Sequence, residues 1–267
     1  MKPGCIRAGI GGWTFEPWRG VFYPPGLKQA DELSYAASRL SAIEINGTYY
    51  STFKPDSWAK WRSATPESFR FAVKASRFCT NRKVLGEGGE SVGKFLGQGL
   101  SELGDRLGPI LWQFMATKKF EPEDFEAFLE LLPKTQDGLT LSHVVEPRHA
   151  SFMVPEFIAL ARKYSVTVCL ADHFDYPMIP DVTGGLIYAR LQTGSDDIET
   201  GYPAAALDLW AERLKAFAEG GQPSDLTFVQ PASRPPATPR DVYAFFIHEG
   251  KVRAPAAALA MIARVET

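Results

Sequence analysis

The chain has 267 residues, 45% of them hydrophobic, with 18 Phe, 9 Tyr and 6 Trp, which is ample material for a sizeable core. Its 29 Lys and Arg against 31 Asp and Glu leave a formal charge of −2, so the composition argues against non-specific nucleic-acid binding and leaves room only for a local basic pocket. Three scattered cysteines without a CxxC pair argue against a disulfide framework or a zinc ribbon, and no segment approaches the roughly 18 uninterrupted apolar residues of a membrane span.

Along the chain, short strand-like runs alternate with longer helical ones. "IRAGI" (6–10) runs into a Gly-Gly-Trp turn, and the helical "ADELSYAASRL" leads to "AIEIN" (42–46). A segment with Trp58 and Trp61 three apart precedes "FRFAVK" (69–74), and a long stretch then reaches "GPILWQF" (108–114). "EPEDFEAFLELLP" carries acids in its first turn and apolar Phe125, Phe128, Leu129 and Leu132 at helix spacing. After it come "SHVVE", a helix opening at Pro155, "VTVCLAD", "LIYARL", a helix ending at Gly220-Gly221, "VYAFFIH" and an Ala-rich terminal helix. Cys169 lies in an apolar run and reads as packing, whereas Cys79 sits in a polar setting. The start, "MKPGCIRAGIGGW", lacks the apolar core of a signal peptide, so the expected location is the cytoplasm.

Eight strand candidates separated by helices imply a parallel sheet covered by helices. Gly9, Gly11 and Gly12 do not match the GxGxxG turn of a doubly wound sheet. The expected fold is therefore a single (β/α)8 TIM-type barrel over residues 1–267. The Pro-, Ser- and Thr-rich segment 220–241 reads as a surface insertion before the last strand.

In such a barrel the site lies at the carboxyl ends of the strands. Those ends carry Glu44 and Asn46 with Tyr49 and Tyr50, then Lys74, Gln113, the trio Glu146, Arg148 and His149, then Asp172 with His173, Arg190, and finally His248 with Glu249. Both signs of charge would meet at one mouth, where mutual pairing satisfies them and shifts their pKa values. Blander readings stand beside this. Glu44 and Arg190 could be a structural ion pair, Lys74 a solvated strand end, and His149 and His173 cap or surface histidines. Asp172 could cap a following helix, and Trp13, Trp18 and Tyr49 could be packing.

Several separated blocks carry a family resemblance: "GIGGW", "FYPPGL", "IEINGTYY", "TPESFRFAVKA", "LGPILWQF", "EPRHASF" and "YARL". In this order they resemble the bacterial and archaeal YecE-like barrels, catalogued as a domain of unknown function. The resemblance implies a (β/α)8 barrel and a site ringed by Glu44, Asn46, Lys74, Gln113, Glu146, Arg148, His149 and Arg190. The chain departs from that pattern in Thr80-Asn81 where Thr-His is usual, in Gln192 where a histidine is usual, and in His248 and Glu249 where an Asn pair is usual. A mechanism resting on those histidines is thereby in doubt.

The leading expectation is an enzyme, hydrolase or isomerase, acting on a small polar substrate that bears phosphate or carboxylate. Lys74, Arg148 and Arg190 would hold the anion. Glu44, Lys74, Glu146 and His149 are the acid–base candidates, and Trp13, Asn46, Tyr49, Gln113, Arg148, Asp172 and Arg190 the binding residues. No cofactor is called for. A second reading places magnesium or manganese among Glu44, Glu146, Asp172 and a histidine. A third is a ligand-binding barrel without chemistry. Nucleic-acid and membrane partners are not expected, and the oligomeric state is not legible.

Overall fold

A computed structural model describes residues 3–232 and 235–266, with His248 described in its backbone alone. Its strands are β1 Ile6–Gly11, β2 Ala42–Ile45, β3 Arg70–Lys74, β4 Leu107–Gln113, β5 Thr135–Gln136, β6 Leu139–Thr140, β7 His143–Glu146, β8 Thr167–Val168, β9 Leu170–Asp172, β10 Leu186–Thr193 and β11 Asp241–Glu249. The helices are α1 Glu32–Ala37, α2 Pro55–Ser63, α3 Arg77–Thr80, α4 Gly89–Leu96, α5 Pro122–Glu130, α6 Pro155–Lys163, α7 Ala204–Ala218 and α8 Ala254–Val265. Pro55, Pro122 and Pro155 open their helices, where the missing N–H costs nothing and the fixed φ suits the first turn.

Nine parallel segments form one sheet in the order β8-β7-β4-β3-β2-β1-β11-β10-β9. First and last barrel strands pair from Ile6↔Val242 to Ile10↔Phe246, which ties the two ends of the chain together. The sheet's outer members, β8 and β9, are separated by Cys169 alone, and the Cys169 N–H donates to the Val145 carbonyl at 2.8 Å. The nine segments are thus the eight expected strands with the sixth broken at one residue. The result is a TIM-type barrel.

Strand alternation sorts the side chains into two layers. Ile10, Ile43, Ile45, Phe71, Val73, Ile110, Trp112, Val145 and Leu191 point outward into the large core shared with the helices. Ala42, Ala72, Leu111, Val144, Cys169, Tyr188, Tyr243, Phe245 and Ile247 form a second cluster inside the barrel. Small residues on β2 and β3 leave the room that the rings on β10 and β11 fill. Gly9 belongs to this close fit, because a Cβ there would stand 1.9 Å from the Ala42 carbonyl oxygen.

Three details differ from the sequence expectations. Residues 173–185 run as loop where a helix was expected after the sixth strand. The antiparallel hairpin β5–β6 is an unforeseen element, turned by Asp137 (φ 48°) and Gly138 (φ 82°), the Asp-Gly pair that a tight hairpin favours. Cys79 is fully buried against the core rather than in polar surroundings, and burial pushes its thiol up to about 12. Segment 220–241 has no helix or strand among its described residues before Asp241, yet part of it is pinned. Asp181 accepts the N–H groups of Val229 and Gln230 at 2.8 and 2.9 Å. Among the described residues, no helix is long and apolar enough to cross a membrane.

Candidate functional site

Above the apolar layer, the same two-residue alternation brings polar side chains to the carboxyl end of the barrel. Ala42 is followed inward by Glu44, Ala72 by Lys74, Leu111 by Gln113, Val144 by Glu146, and Tyr188 by Arg190 and then Gln192. Arg190 is the hub. Its Nη1 donates to Glu146 Oε1 and Oε2 at 2.9 and 2.7 Å, while Nε and Nη2 donate to Glu44 Oε2 and Oε1 at 3.1 Å each. Two carboxylates from β2 and β7 are thus clamped by one guanidinium, whose fork geometry suits the task.

The remaining lone pairs of the carboxylates are also occupied. Tyr188 Oη donates to Glu44 Oε2 at 2.6 Å and Asn46 Nδ2 to Oε1 at 3.0 Å. On Glu146, Gln113 Nε2 donates to Oε2 at 2.7 Å and Arg148 Nε to Oε1 at 3.1 Å. Every oxygen therefore accepts two hydrogen bonds, and both glutamates are completely buried. Burial alone would raise the Glu146 carboxyl, but the guanidiniums of Arg190 and Arg148, the Gln113 amide and Lys74 outweigh it and hold it below the usual carboxylate range. The Arg190 guanidinium is raised in turn, the two glutamates overcoming its own desolvation.

Two cations keep unused donors. The Lys74 ammonium makes no hydrogen bond among the described residues and rests over the Tyr49 ring, 4.2 Å from its centroid. Desolvation first, and then the neighbouring Arg190 charge, bring its pKa down to about 8. Arg148 spends only Nε on Glu146 and lies over the Tyr176 ring at 4.5 Å, so both terminal nitrogens lack a hydrogen-bonding partner among the described residues. Lys74 is fixed by Thr48, whose hydroxyl donates to the Lys74 carbonyl at 2.6 Å. Tyr49 is fixed by Asn81, whose amide donates to its hydroxyl at 3.0 Å.

These groups border a mouth cavity of about 470 Å³ with Gly11, Asn46, Tyr49, Lys74, Gln113, Arg148 and Arg190 on its wall. Six of the sequence-predicted residues thus line the cavity, and Glu44 and Glu146 beneath them make eight. Three are not. Trp13 turns outward after Gly12 (φ 74°) and packs edge-on against Trp61, 5.1 Å between centroids. His149 accepts the Ser151 N–H on Nδ1 and caps the short turn Ala150–Phe152. Asp172 accepts the Thr193 hydroxyl at 2.7 Å and is held above the usual carboxylate range by burial; with no helix after it, it caps nothing. His173 accepts the Asp175 N–H, Glu249 continues the β11 ladder opposite Thr193, and the His248 side chain lies outside the described residues.

The wall also holds Trp18, Tyr50 and Gln192, which the sequence reading named without listing them among the site residues, and Lys251, which it passed over. Tyr188 and Gln192 were detectable, since they flank Arg190 at two-residue spacing on one strand. Lys251 lies past the Gly250 turn and carries no such signal; its carbonyl accepts the Trp18 indole N–H at 2.8 Å. With Asp172 turned away, Lys74, Arg148 and Arg190 outnumber the two glutamates, and Lys251 adds to the positive side. The carboxylates that could have ligated a metal are instead joined by a guanidinium. Among the described residues, no three His, Cys, Asp or Glu side chains converge as a metal site.

The family described as Protein of unknown function DUF72 matches residues 7–267. The UPF0759 protein YecE of Escherichia coli (strain K12) is 29% identical over 150 residues, 55% of this chain and 50% of the relative, so the chain spans about half the length of the curated relatives it matches. A solved DUF72 family protein of Thermotoga maritima MSB8 is similar with a TM-score of 0.72 at 24% identity, covering 98% of this chain and 100% of that one. One from Enterococcus faecalis V583 has a TM-score of 0.72 at 18% identity over 99% and 98%. At these identities the solved structures speak for the barrel fold. The match that runs from Arg7 to the last residue speaks for kinship, and the chain belongs to the DUF72 family.

Proposed function

We propose that the barrel mouth binds a small phosphate- or carboxylate-bearing molecule and that Lys74 is the group that moves a proton there. The observation that carries this reading is the pair of unspent cations on one wall. The Lys74 ammonium and the terminal nitrogens of Arg148 have no protein acceptor among the described residues, and they stand where positive charge exceeds negative. Both side chains are only partly buried, and an anion in the cavity would offer these donors charge-assisted hydrogen bonds.

Lys74, with a pKa near 8, exchanges a proton close to neutrality, as a general acid or base requires. Glu44 and Glu146 carry a different role in this reading. Their oxygens are saturated, so they neutralise and orient Arg190 and Arg148 rather than transfer protons. His149 spends its Nδ1 on the turn it caps and is not on the cavity wall, so this reading does not use it as the proton carrier. Isomerisation and hydrolysis of an anionic substrate both remain compatible with one amine base.

The test is a titration of Lys74 by NMR on lysine side-chain carbons, with and without inorganic phosphate. Lys74 should titrate near 8 in the free protein, and phosphate should move its pKa upward as the anion stabilises the ammonium. A Lys74 that titrates like a solvent-exposed lysine and ignores phosphate would sink the proposal. A turnover screen over phosphorylated and carboxylated small molecules then separates chemistry from binding, since Lys74→Ala should abolish any activity found.

A further inference from the structure

The interior face of β10 presents three polar side chains in succession, and two are fully accounted for. Tyr188 Oη is spent on Glu44, and Arg190 is spent on both glutamates. Gln192, one step nearer the mouth, differs. Its side chain is 1% exposed, yet neither Oε1 nor Nε2 has a hydrogen-bonding partner among the described residues. A buried amide with both ends unpaired is rare in folded proteins and calls for a specific cause. Gln192 lies on the wall of the mouth cavity, whose lining also includes Trp18, Phe246, Ile247 and Ala254, and the Trp18 indole N–H is already given to the Lys251 carbonyl.

We infer that Gln192 reads a planar amide or lactam edge on the ligand, one N–H donor and one C=O acceptor side by side, carried on the same small molecule as the anion. A carboxamide in a fixed rotamer offers an acceptor and a donor in one plane, and an amide edge is the neutral group that satisfies both at once. The apolar part of the cavity lining suits the uncharged part of such a molecule, and Lys74 and Arg148 on the wall of the same cavity take its anionic part. This inference rests on the anion-binding reading above and adds the chemical class of the substrate. A site built around an unpaired donor and acceptor rejects analogues that lack the matching groups, because both would stay buried and unsatisfied.

The experiment is calorimetric binding of matched probes to the full chain and to Gln192→Met, an apolar side chain of similar length. Phosphonoacetamide is paired with acetonylphosphonate, and uridine monophosphate with ribose phosphate. The first of each pair has the amide edge, and the two pairs set it at a short and a long distance from the anion. Inorganic phosphate reports the anion site alone. The expected result is a preference of about ten-fold or more for the amide-bearing probe in at least one pair, lost in Gln192→Met, with phosphate affinity unchanged. No preference in either pair, or a preference that survives Gln192→Met, overturns the inference while leaving the anion-binding reading intact. Failure of phosphate to bind, with the amide preference still lost in Gln192→Met, removes the anion-binding reading and the anionic part of this inference, and leaves recognition of the amide edge by Gln192. The ligand-free melting temperature gives a second measure. Gln192→Met should melt no lower than the parent, because it removes an unpaired amide. A fall of several degrees would show that the amide is held structurally, and would also overturn the inference.

Discussion

Lys74 and Glu146 sit in one charged layer, yet they respond to pH in opposite directions. Lys74 has a folded pKa below its unfolded value, so between about 8 and 10.5 the unfolded chain binds more protons and stability rises with pH. Below that window the protein carries the full cost of a desolvated ammonium. Lys74→Met should therefore stabilise the fold near neutrality by about 1–3 kcal/mol, a gain that shrinks as pH climbs through the window. Urea unfolding at several pH values reads this, and a variant less stable than the parent at neutrality would contradict it. Glu146 has a depressed folded pKa, so its contribution is complete above about 4.5 and fades as pH falls below that. Glu146→Gln leaves Arg190 and Arg148 short of a counter-charge and should cost about 3–5 kcal/mol in denaturant unfolding. Loss of activity in that variant alone would say little about proton transfer. The residue types at the mouth were legible from the strand ends. Their division of labour was not, because whether a carboxylate is saturated depends on where one distant guanidinium points.

At the scale of elements, β10 shows what a sequence reading can and cannot reach. Alternation placed Arg190 at a strand end, and the same periodicity carried Tyr188 and Gln192 to the same face. The charged cluster was legible because its members lie on strands, whose side-chain directions are fixed by position. Trp13, His149 and Asp172 lie at or beyond strand ends, where a positive-φ glycine, a local cap or a missing helix decides the direction, and the sequence pattern does not encode these. The Asp-Gly hairpin β5–β6 was written in "TQDGLT" but hidden by strands only two residues long. Close approach of β1 to β2 is equally specific. Gly9→Ala would press a methyl group onto the Ala42 backbone rather than onto a side chain that can swing aside. The expected loss is about 2–3 kcal/mol, read as a lowered urea midpoint with an unchanged slope. Full tolerance would mean that the two strands part more easily than their packing suggests.

For the whole molecule, the excess of cations at one mouth should make stability depend on anion identity. Phosphate at a hundred-fold its Kd should stabilise the barrel by about 2.7 kcal/mol, beyond the effect of chloride at equal ionic strength, and Lys74→Ala should lose most of that difference. Equal melting temperatures in the two salts would contradict it. Alternation of strand and helix made a parallel α/β fold legible, and eight such units in this length without a GxGxxG turn favoured the closed barrel over an open sheet.

Closure, however, is uneven around the ring. Five residue pairs join β1 to β11, whereas β8 holds β7 through two pairs and β9 holds β10 through three, with a single cysteine between the two short segments and no helix following them. Three pairs also join β1 to β2, but only at β8–β9 does a strand break at one residue between two short pairings, so the hoop has its weakest weld there. Thermal openings that expose backbone amides should concentrate at that weld, well below the energy of global unfolding. Deuterium should enter the amides of residues 167–172 before those of 242–246. Such openings would loosen the neighbour of β10, the strand that carries Gln192, from one side.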